Sequence, residues 1–400
     1  MSSSPLQDAP DSALALVTLL DTLAALYPDG EVRIGGRAPV GDPSVVSYAV
    51  VPGFADPRLV VPLVPAKAAA RSLRRYSAMS SYRDVLARGS AAAATRVSRT
   101  VLPDRVAVHG ADGDCLLTHL GERLGREVHA SLGIGTPRVN RKPVLQLFDE
   151  RGDVLGFAKI GDSARAIADV TAEGAALRRV ATREWHQLVA PTVIDESTWR
   201  GMVVLVVSAL PAGSDQARRD VKHPPLAAMD ELAGAFDGGS EVLARIPWWG
   251  RQRAGAELVT DPDRADLLEA CLDAIALRAG RRPLQVGAWH GDWTPWNMAV
   301  GRGQVRLWDW ERFETGVPAG MDRFHYDVNV ATSRHGTRHA TVAAALPRPT
   351  DSTPALLADL YLVAVIVRYL SMADEVGGEL VDVRTACLLS VLCSRLGVQP

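Results

Sequence analysis

The stretch Ala288-Trp-His-Gly-Asp-Trp-Thr-Pro-Trp-Asn-Met-Ala-Val300, continued by Val305-Arg-Leu-Trp-Asp-Trp-Glu311, carries the chemistry of this chain. A short apolar run at 284–288 leads in. A hairpin, 298–300 with 305–308 around Gly301-Arg-Gly303, separates two polar loops. Asp292, Asn297 and Asp309 therefore fall on loops at strand ends, where polar side chains can converge without breaking a core. One acid ahead of an asparagine and a second acid beyond a strand is the donor set that phosphoryl transfer needs. The first carboxylate can orient a hydroxyl and accept its proton, while the Asn amide oxygen and the second carboxylate are hard ligands for Mg²⁺. The blander alternative, in which Asp292 and Asn297 cap a turn and Asp309 caps a helix, leaves His290 and Trp293-Thr-Pro-Trp296 without a role.

Upstream, the pattern changes from β-rich to helical. Residues 1–11 read as a disordered tail and 12–28 as a helix ending at Pro28-Asp-Gly30. Strands are expected at 31–34, 45–51, 59–63 and 105–109, with two helices in 66–97 broken around 77–81. This makes 12–125 an additional α/β domain with no assignable motif. From 127 strands follow at 128–132, 144–148 and 155–160, a helix at 168–181, and β-runs at 193–194 and 202–208. Ala209-Leu-Pro-Ala-Gly-Ser214 has the composition of a linker. Helices dominate beyond it, near 225–236, 264–279, 353–373 and 381–396. The fold class is α+β, a β-rich N-lobe over 126–210 and a helical C-lobe over 211–400. Ile246-Pro-Trp-Trp-Gly-Arg-Gln-Arg253 reads as packing for that second lobe.

Composition sets outer bounds. A 47% hydrophobic, 22% charged chain with net charge -2 is globular and offers no reason for a nucleic-acid or anionic-membrane partner. Four scattered cysteines lack metal-ligand spacing and read as free thiols. The N-terminus has no signal-peptide pattern, and the longest apolar candidate, 356–370, is interrupted by Asp359 and Arg368. A cytoplasmic location is the expectation.

With those residues in view, the chain resembles the aminoglycoside phosphotransferase and choline kinase family, small-molecule kinases with a protein-kinase-like fold. The likeness rests on His290-Gly-Asp292, four residues, Asn297, then Leu307-Trp-Asp309-Trp-Glu311, and on Gly320-Met-Asp322-Arg-Phe-His-Tyr-Asp327. It is strongest over 286–327 and absent before 127. The resemblance implies Asp292 as catalytic base, Asn297 and Asp309 as metal ligands, His290 as a hydrogen-bonding partner of the loop and Asp322 as its support. It also implies a strand lysine on the nucleotide phosphates aimed by a helix glutamate, a role that Lys159 and Glu173 fit. Gly133, Gly135 and Arg141 would belong to a phosphate-covering loop, and Ser208 to Leu210 to the adenine-binding linker. ATP or GTP and Mg²⁺ are the cofactors implied, and a nucleotide and a small-molecule hydroxyl compound the partners.

The acceptor is left open by these motifs. Trp293 and Trp296 on the loop, and Glu311, Arg312 and Glu314 beyond it, are candidates for substrate contact, with Trp308 assigned to packing by hairpin alternation. The tryptophans and the acids of 230–330 favour a sugar or aminoglycoside-like acceptor. Two other classes are carried forward. One is a pseudokinase scaffold that binds nucleotide without turnover; the other is a hydrolase whose metal is held by His290, Asp292 and Asp309.

Overall fold

The computed structural model describes residues 9–35, 42, 44–76, 104–133, 142–210, 223–301, 303–373 and 379–399. The chain divides into two compact units, one of residues 1–174 with 192–209, the other of 175–191 with 210–400.

The first unit is built on one antiparallel sheet of nine strands. In chain order these are β1 (Glu31–Ile34), β2 (Val45–Val51), β3 (Leu59–Pro62), β4 (Arg105–His109), β5 (His129–Gly133), β6 (Val144–Phe148), β7 (Val154–Gly161), β9 (Val193–Trp199) and β10 (Met202–Val207). They lie in the order β1-β4-β2-β3-β5-β6-β7-β10-β9. No sheet boundary falls at residue 125: β3 pairs with β5, Leu59 opposite Gly133 and Val60 opposite Leu132. The strands expected of a separate N-terminal domain thus extend the sheet that carries Lys159.

Cross-strand register separates the two faces, because residues directly opposite one another share a face. Val60, Leu132, Leu145, Ala158 and Val206 form one row across five strands. All five are buried in a single core. Helix α1 (Ala9–Leu26) packs into that core through Leu19, Leu23 and Leu26, spaced by four and three residues on one face. Helix α3 (Leu116–Leu124) joins it through Leu116 and Leu120. The adjacent row, Leu59, Gly133, Val144, Lys159 and Leu205, points the other way. There Leu59 and Val61 bury Ala69 and Leu73 of helix α2 (Ala66–Tyr76). Helix α4 (Ala164–Val180) follows β7 as α2 follows β3, giving two successive hairpin-helix steps in one sheet.

Helix α3 has no counterpart in the sequence reading. Its N-cap is Cys115, whose sulfur accepts the Thr118 N–H, and it ends at Gly125 in the left-handed conformation. A cysteine cap lies outside the usual Ser, Thr, Asp and Asn set.

The second unit is mainly helical. Helices α5 (Leu226–Ala235), α6 (Pro247–Ala256), α7 (Pro262–Ala279), α8 (Met321–His335), α9 (His339–Ala344), α10 (Thr353–Ala373) and α11 (Glu379–Leu396) accompany two three-stranded sheets. One sheet joins β11 (Gly239–Val242), β12 (Pro283–Trp289) and β15 (Glu314–Pro318); the other joins β13 (Met298–Gly301), β14 (Gln304–Leu307) and β8 (Leu188–Val189). Trp248 and Trp249 are buried in the core of this unit, the packing expected of them. Residues Thr353–Met372 of α10 are long and apolar enough to cross a membrane, although the sequence reading found no such span. In the fold 72% of that window is buried. Its Asp359, with no exposure, is paired at 2.5 Å with both Arg278 and Arg395.

Candidate active site

Strand β12 delivers Trp289 and then the loop that carries Asp292. Gly291 takes a φ of +75°, and a Cβ there would come within 2.4 Å of the Arg312 carbonyl oxygen, so the turn requires glycine. Asp322 on α8 accepts the backbone N–H groups of His290 and Gly291 at 2.7 and 3.1 Å. From the other side, Arg368 of α10 donates from Nη1 to the Gly291 carbonyl at 2.8 Å. His290 is buried, and its Nδ1 accepts the Asp292 N–H at 3.3 Å. Burial lowers the His290 pKa to about 4, which keeps the ring neutral and able to accept that bond.

Both oxygens of the Asp292 carboxylate have donors. Oδ2 accepts from Asn297 Nδ2 at 2.8 Å, and Oδ1 from His325 Nε2 at 2.9 Å. The side chain nonetheless keeps 34% exposure, so its remaining lone pairs can be reached. Burial pushes the carboxyl up, but the hydrogen bond from His325 works against it, and Asp292 is held below its ordinary value. Burial lowers His325 as well, so at neutral pH Asp292 is ionised and His325 is a neutral donor.

The asparagine is turned by the same contacts. Its Nδ2 is engaged by the Asp292 carboxylate and, at 3.0 Å, by the Asp292 carbonyl. The amide oxygen is therefore the atom left for a cation. Trp308 N–H donates to the Asn297 carbonyl at 3.0 Å and ties this loop to the next. There Asp309 sits at φ 72° and ψ 60°, a left-handed conformation costing about 1 kcal/mol for a non-glycine residue. A carboxylate oxygen of Asp309 lies within 4.8 Å of one of Glu311. An amide oxygen and carboxylates are an all-oxygen set, of the kind that suits a hard divalent cation.

The tryptophans reverse their expected places. Trp293 has no exposure; its Nε1 points to Met298 Sδ at 3.4 Å, so it packs the loop and presents no face to a substrate. Trp308, assigned to packing, is half-buried, because β14 ends at Leu307 and alternation no longer governs the next residue. Trp296 is half-buried. Trp310 is fully buried, its ring 4.9 Å from that of His290. Glu314 is paired with Arg251 at 2.6 Å and Glu311 with Arg312 at 3.4 Å. His290, a metal ligand in the hydrolase reading, is buried with its Nδ1 engaged within the loop.

Two residues of this site were not singled out from sequence. His325 lies one turn after Asp322 on α8, and that i, i+3 spacing was the available signal once the helix start at Met321 is known. Arg368 gave only the signal of a charge in an apolar run.

The first unit holds the lysine and its partner. Lys159 of β7 donates to Glu173 Oε1 of α4 at 2.7 Å, with side-chain exposures of 12% and 2%. Gly133 stands in the Lys159 row two strands away and adds no side chain to that face. Gly135 and Arg141 lie outside the described residues. Gly174 follows the glutamate, and a Cβ there would meet Glu196 Oε2 at 2.7 Å. Ser208 closes the end of β10 on the start of β9, its N–H to the Thr192 carbonyl at 2.8 Å and its Oγ accepting Thr192 N–H at 2.9 Å. Leu210 is the first residue of the second unit beyond that point.

No protein-family model and no curated protein matches the chain. Solved structures do. The chain is similar to aminoglycoside phosphotransferases. A ternary complex of aminoglycoside phosphotransferase APH(4)-Ia with ADP and hygromycin B is 14% identical over 71% of this chain and 98% of that one, with a TM-score of 0.45. Amicoumacin kinase hAmiN, in complex with AMP-PNP, Ca²⁺ and Ami, is 12% identical over 65% and 86%, with a TM-score of 0.39. A glucosamine kinase in complex with glucosamine, ADP and inorganic phosphate is 17% identical over 100% and 94%, with a TM-score of 0.24.

Proposed function

We propose that this chain is a two-lobed, protein-kinase-like phosphotransferase that moves the γ-phosphate of ATP, or of GTP, to a hydroxyl of a small molecule in a Mg²⁺-dependent reaction. The observation that carries this reading is the Asp292 carboxylate, ionised, reachable, and aimed by Asn297 on one oxygen and His325 on the other.

In this reading Asp292 orients the acceptor hydroxyl and takes its proton as the oxygen bonds to the γ-phosphorus. The bond from that phosphorus to the β–γ bridging oxygen breaks, and the nucleoside diphosphate leaves. Asn297 and Asp309 would hold Mg²⁺, which when bound offsets charge on the phosphates. Lys159, kept extended by Glu173, is assigned to the α and β phosphates. Asp322 and Arg368 keep the loop rigid by holding the His290 and Gly291 backbone. Positioning supplies most of the rate, because the transition state is loose and its charge is spread over phosphoryl oxygens. A pseudokinase would not need an ionised, doubly held carboxylate.

The test is Asp292→Ala in the full chain. Acceptor-dependent ADP release should fall on the order of 100-fold or more, with AMP-PNP binding by calorimetry unchanged. Undiminished turnover in that variant overturns the assignment.

A further inference from the structure

Beside Asp292 the second unit keeps two guanidinium groups that, among the described residues, are in contact with no carboxylate. Arg368 donates to the Gly291 carbonyl and lies 5.5 Å over the Trp289 ring. Arg384 of α11 donates from Nη2 to Asn329 Oδ1 at 2.8 Å, and lies 5.7 Å over the Tyr369 ring. Each has thus given one of five N–H donors to a neutral oxygen. The Nε of Arg384 is buried with no hydrogen-bond partner. Among the described residues neither group forms an ion pair.

Both arginines flank the same place. Each bears electrostatically on His325 and on Tyr361, and His325 is the ring that holds Asp292 Oδ1. A contact chain runs from Asp292 to His325, from the His325 carbonyl to Asn329 Nδ2 at 2.7 Å, and on to Arg384. Asp292 and Asp322 bear electrostatically on Arg368 without pairing with it, and among the described residues no carboxylate is paired with Arg384.

The acids that favoured a cationic acceptor are used elsewhere. Glu314 is paired with Arg251, Asp273 with Arg253 and Asp261 with Arg264, while Glu231 accepts the backbone N–H groups of His186 and Gln187. The local excess of carboxylates in the sequence is therefore largely spent on structure. The arginine charge next to the candidate base is not.

We propose that the acceptor carries an anionic group close to its reacting hydroxyl, a carboxylate or phosphate monoester, and that Arg384 and Arg368 bind it. An Arg fork matches the planar pair of carboxylate or phosphate oxygens, and the aromatic rings behind both groups hold the forks in place. A polycation would meet two like charges beside the base. The proposal rests on the phosphotransferase reading and narrows its acceptor to acidic polyols, sugar acids or sugar phosphates.

The test pairs compounds of one carbon skeleton: glucose, glucosamine, glucuronate and glucose 6-phosphate, with glycerol against glycerate. Binding to the full chain is measured by calorimetry without nucleotide, and turnover by ADP release with Mg²⁺ and ATP. At least one acidic member should bind ten-fold or more tighter than its neutral partner. Arg384→Gln should abolish that difference, and Arg384→Lys should restore part of it, with unchanged circular dichroism in both. The carboxylate and phosphate arms identify which anion is taken. Tighter binding of the neutral or amino member, no acidic preference, or a preference that survives Arg384→Gln overturns the proposal. Acidic binding without ADP release from any acceptor would instead remove the phosphotransferase reading and leave the anion site standing.

Discussion

At the residue scale, His325 is the group that most alters the expected behaviour of Asp292. Without its hydrogen bond, burial would be left as the largest influence on the carboxyl, and burial raises a carboxylate pKa. His325→Ala should therefore shift the acid limb of kcat to higher pH, since a larger fraction of Asp292 is protonated and unable to act as base at a given pH. His325→Gln can still donate to Oδ1 and should shift it less. The measurement is kcat against pH for ADP release, with KM for nucleotide as the internal control. A role limited to packing would lower kcat at all pH values and leave the limb in place. The lost turnover at the optimum should be about 10- to 100-fold, the size of effect that misaligned positioning produces. The same network explains why α8 carries so many buried polar groups. Asp322, His325 and Asn329 occupy one helix face, and each makes a hydrogen bond that positions the catalytic loop or the arginine behind it.

At the scale of elements, the apolar helix α10 is the one whose burial has an electrostatic condition. Asp359 is fully buried between Arg278 and Arg395, and Arg395 also donates to the carbonyls of Pro347 and Ala355. Asp359→Ala leaves two guanidinium groups near the core without their anion, and should destabilise the chain by about 3–5 kcal/mol. Chemical denaturation checks this, with Arg278→Met, Asp359→Leu and Arg395→Met combined as the partner variant. That triple variant should recover a good part of the loss. A single-variant change near zero would mean that the pair is solvated. Elements of this kind were only half legible in the sequence. Strands at 45–51, 105–109 and 144–148 fall where alternation and turn residues put them, because each has one face in a core. Helix α3 was not legible, since its cap is Cys115, outside the usual capping set, and the helix is only nine residues long. Trp293 and Trp308 exchanged places for a related reason. Alternation predicts side-chain direction inside a strand, and both residues lie beyond strand ends, where the short 3-10 turn at Pro295–Asn297 and the left-handed Asp309 set direction instead. The polar pattern of Asp292, Asn297 and Asp309 was readable because its spacing is local. The arginines that bear on it come from α10 and α11, and no spacing in the sequence connects them to residue 292.

At the scale of the whole molecule, the arrangement of the nine-stranded sheet bears on what residues 12–125 are for. A self-contained domain would carry its own sheet and core. Here β3 supplies the hydrogen-bonding neighbour of β5, and Leu19, Leu23, Tyr48, Val60, Val106 and Val108 share one core with Leu132, Leu145, Ala158 and Val206. The same sheet carries Lys159 in the row that begins at Leu59, so the segment supports the lysine strand through two intervening strands. Removing 1–125 would leave β5 as an unpaired edge and strip one side of the core from β5, β6, β7 and β10. Both changes favour aggregation. A chain of residues 126–400 should therefore express as aggregate, or bind an apolar dye and lack a sharp thermal transition, whereas the full chain melts cooperatively. Nucleotide binding should be lost with it, because the Lys159–Glu173 pair depends on β7 and α4 holding their places. If the shortened chain is monodisperse, melts cooperatively and still binds AMP-PNP with the affinity of the full protein, residues 12–125 are a separable domain and their role lies outside the sheet.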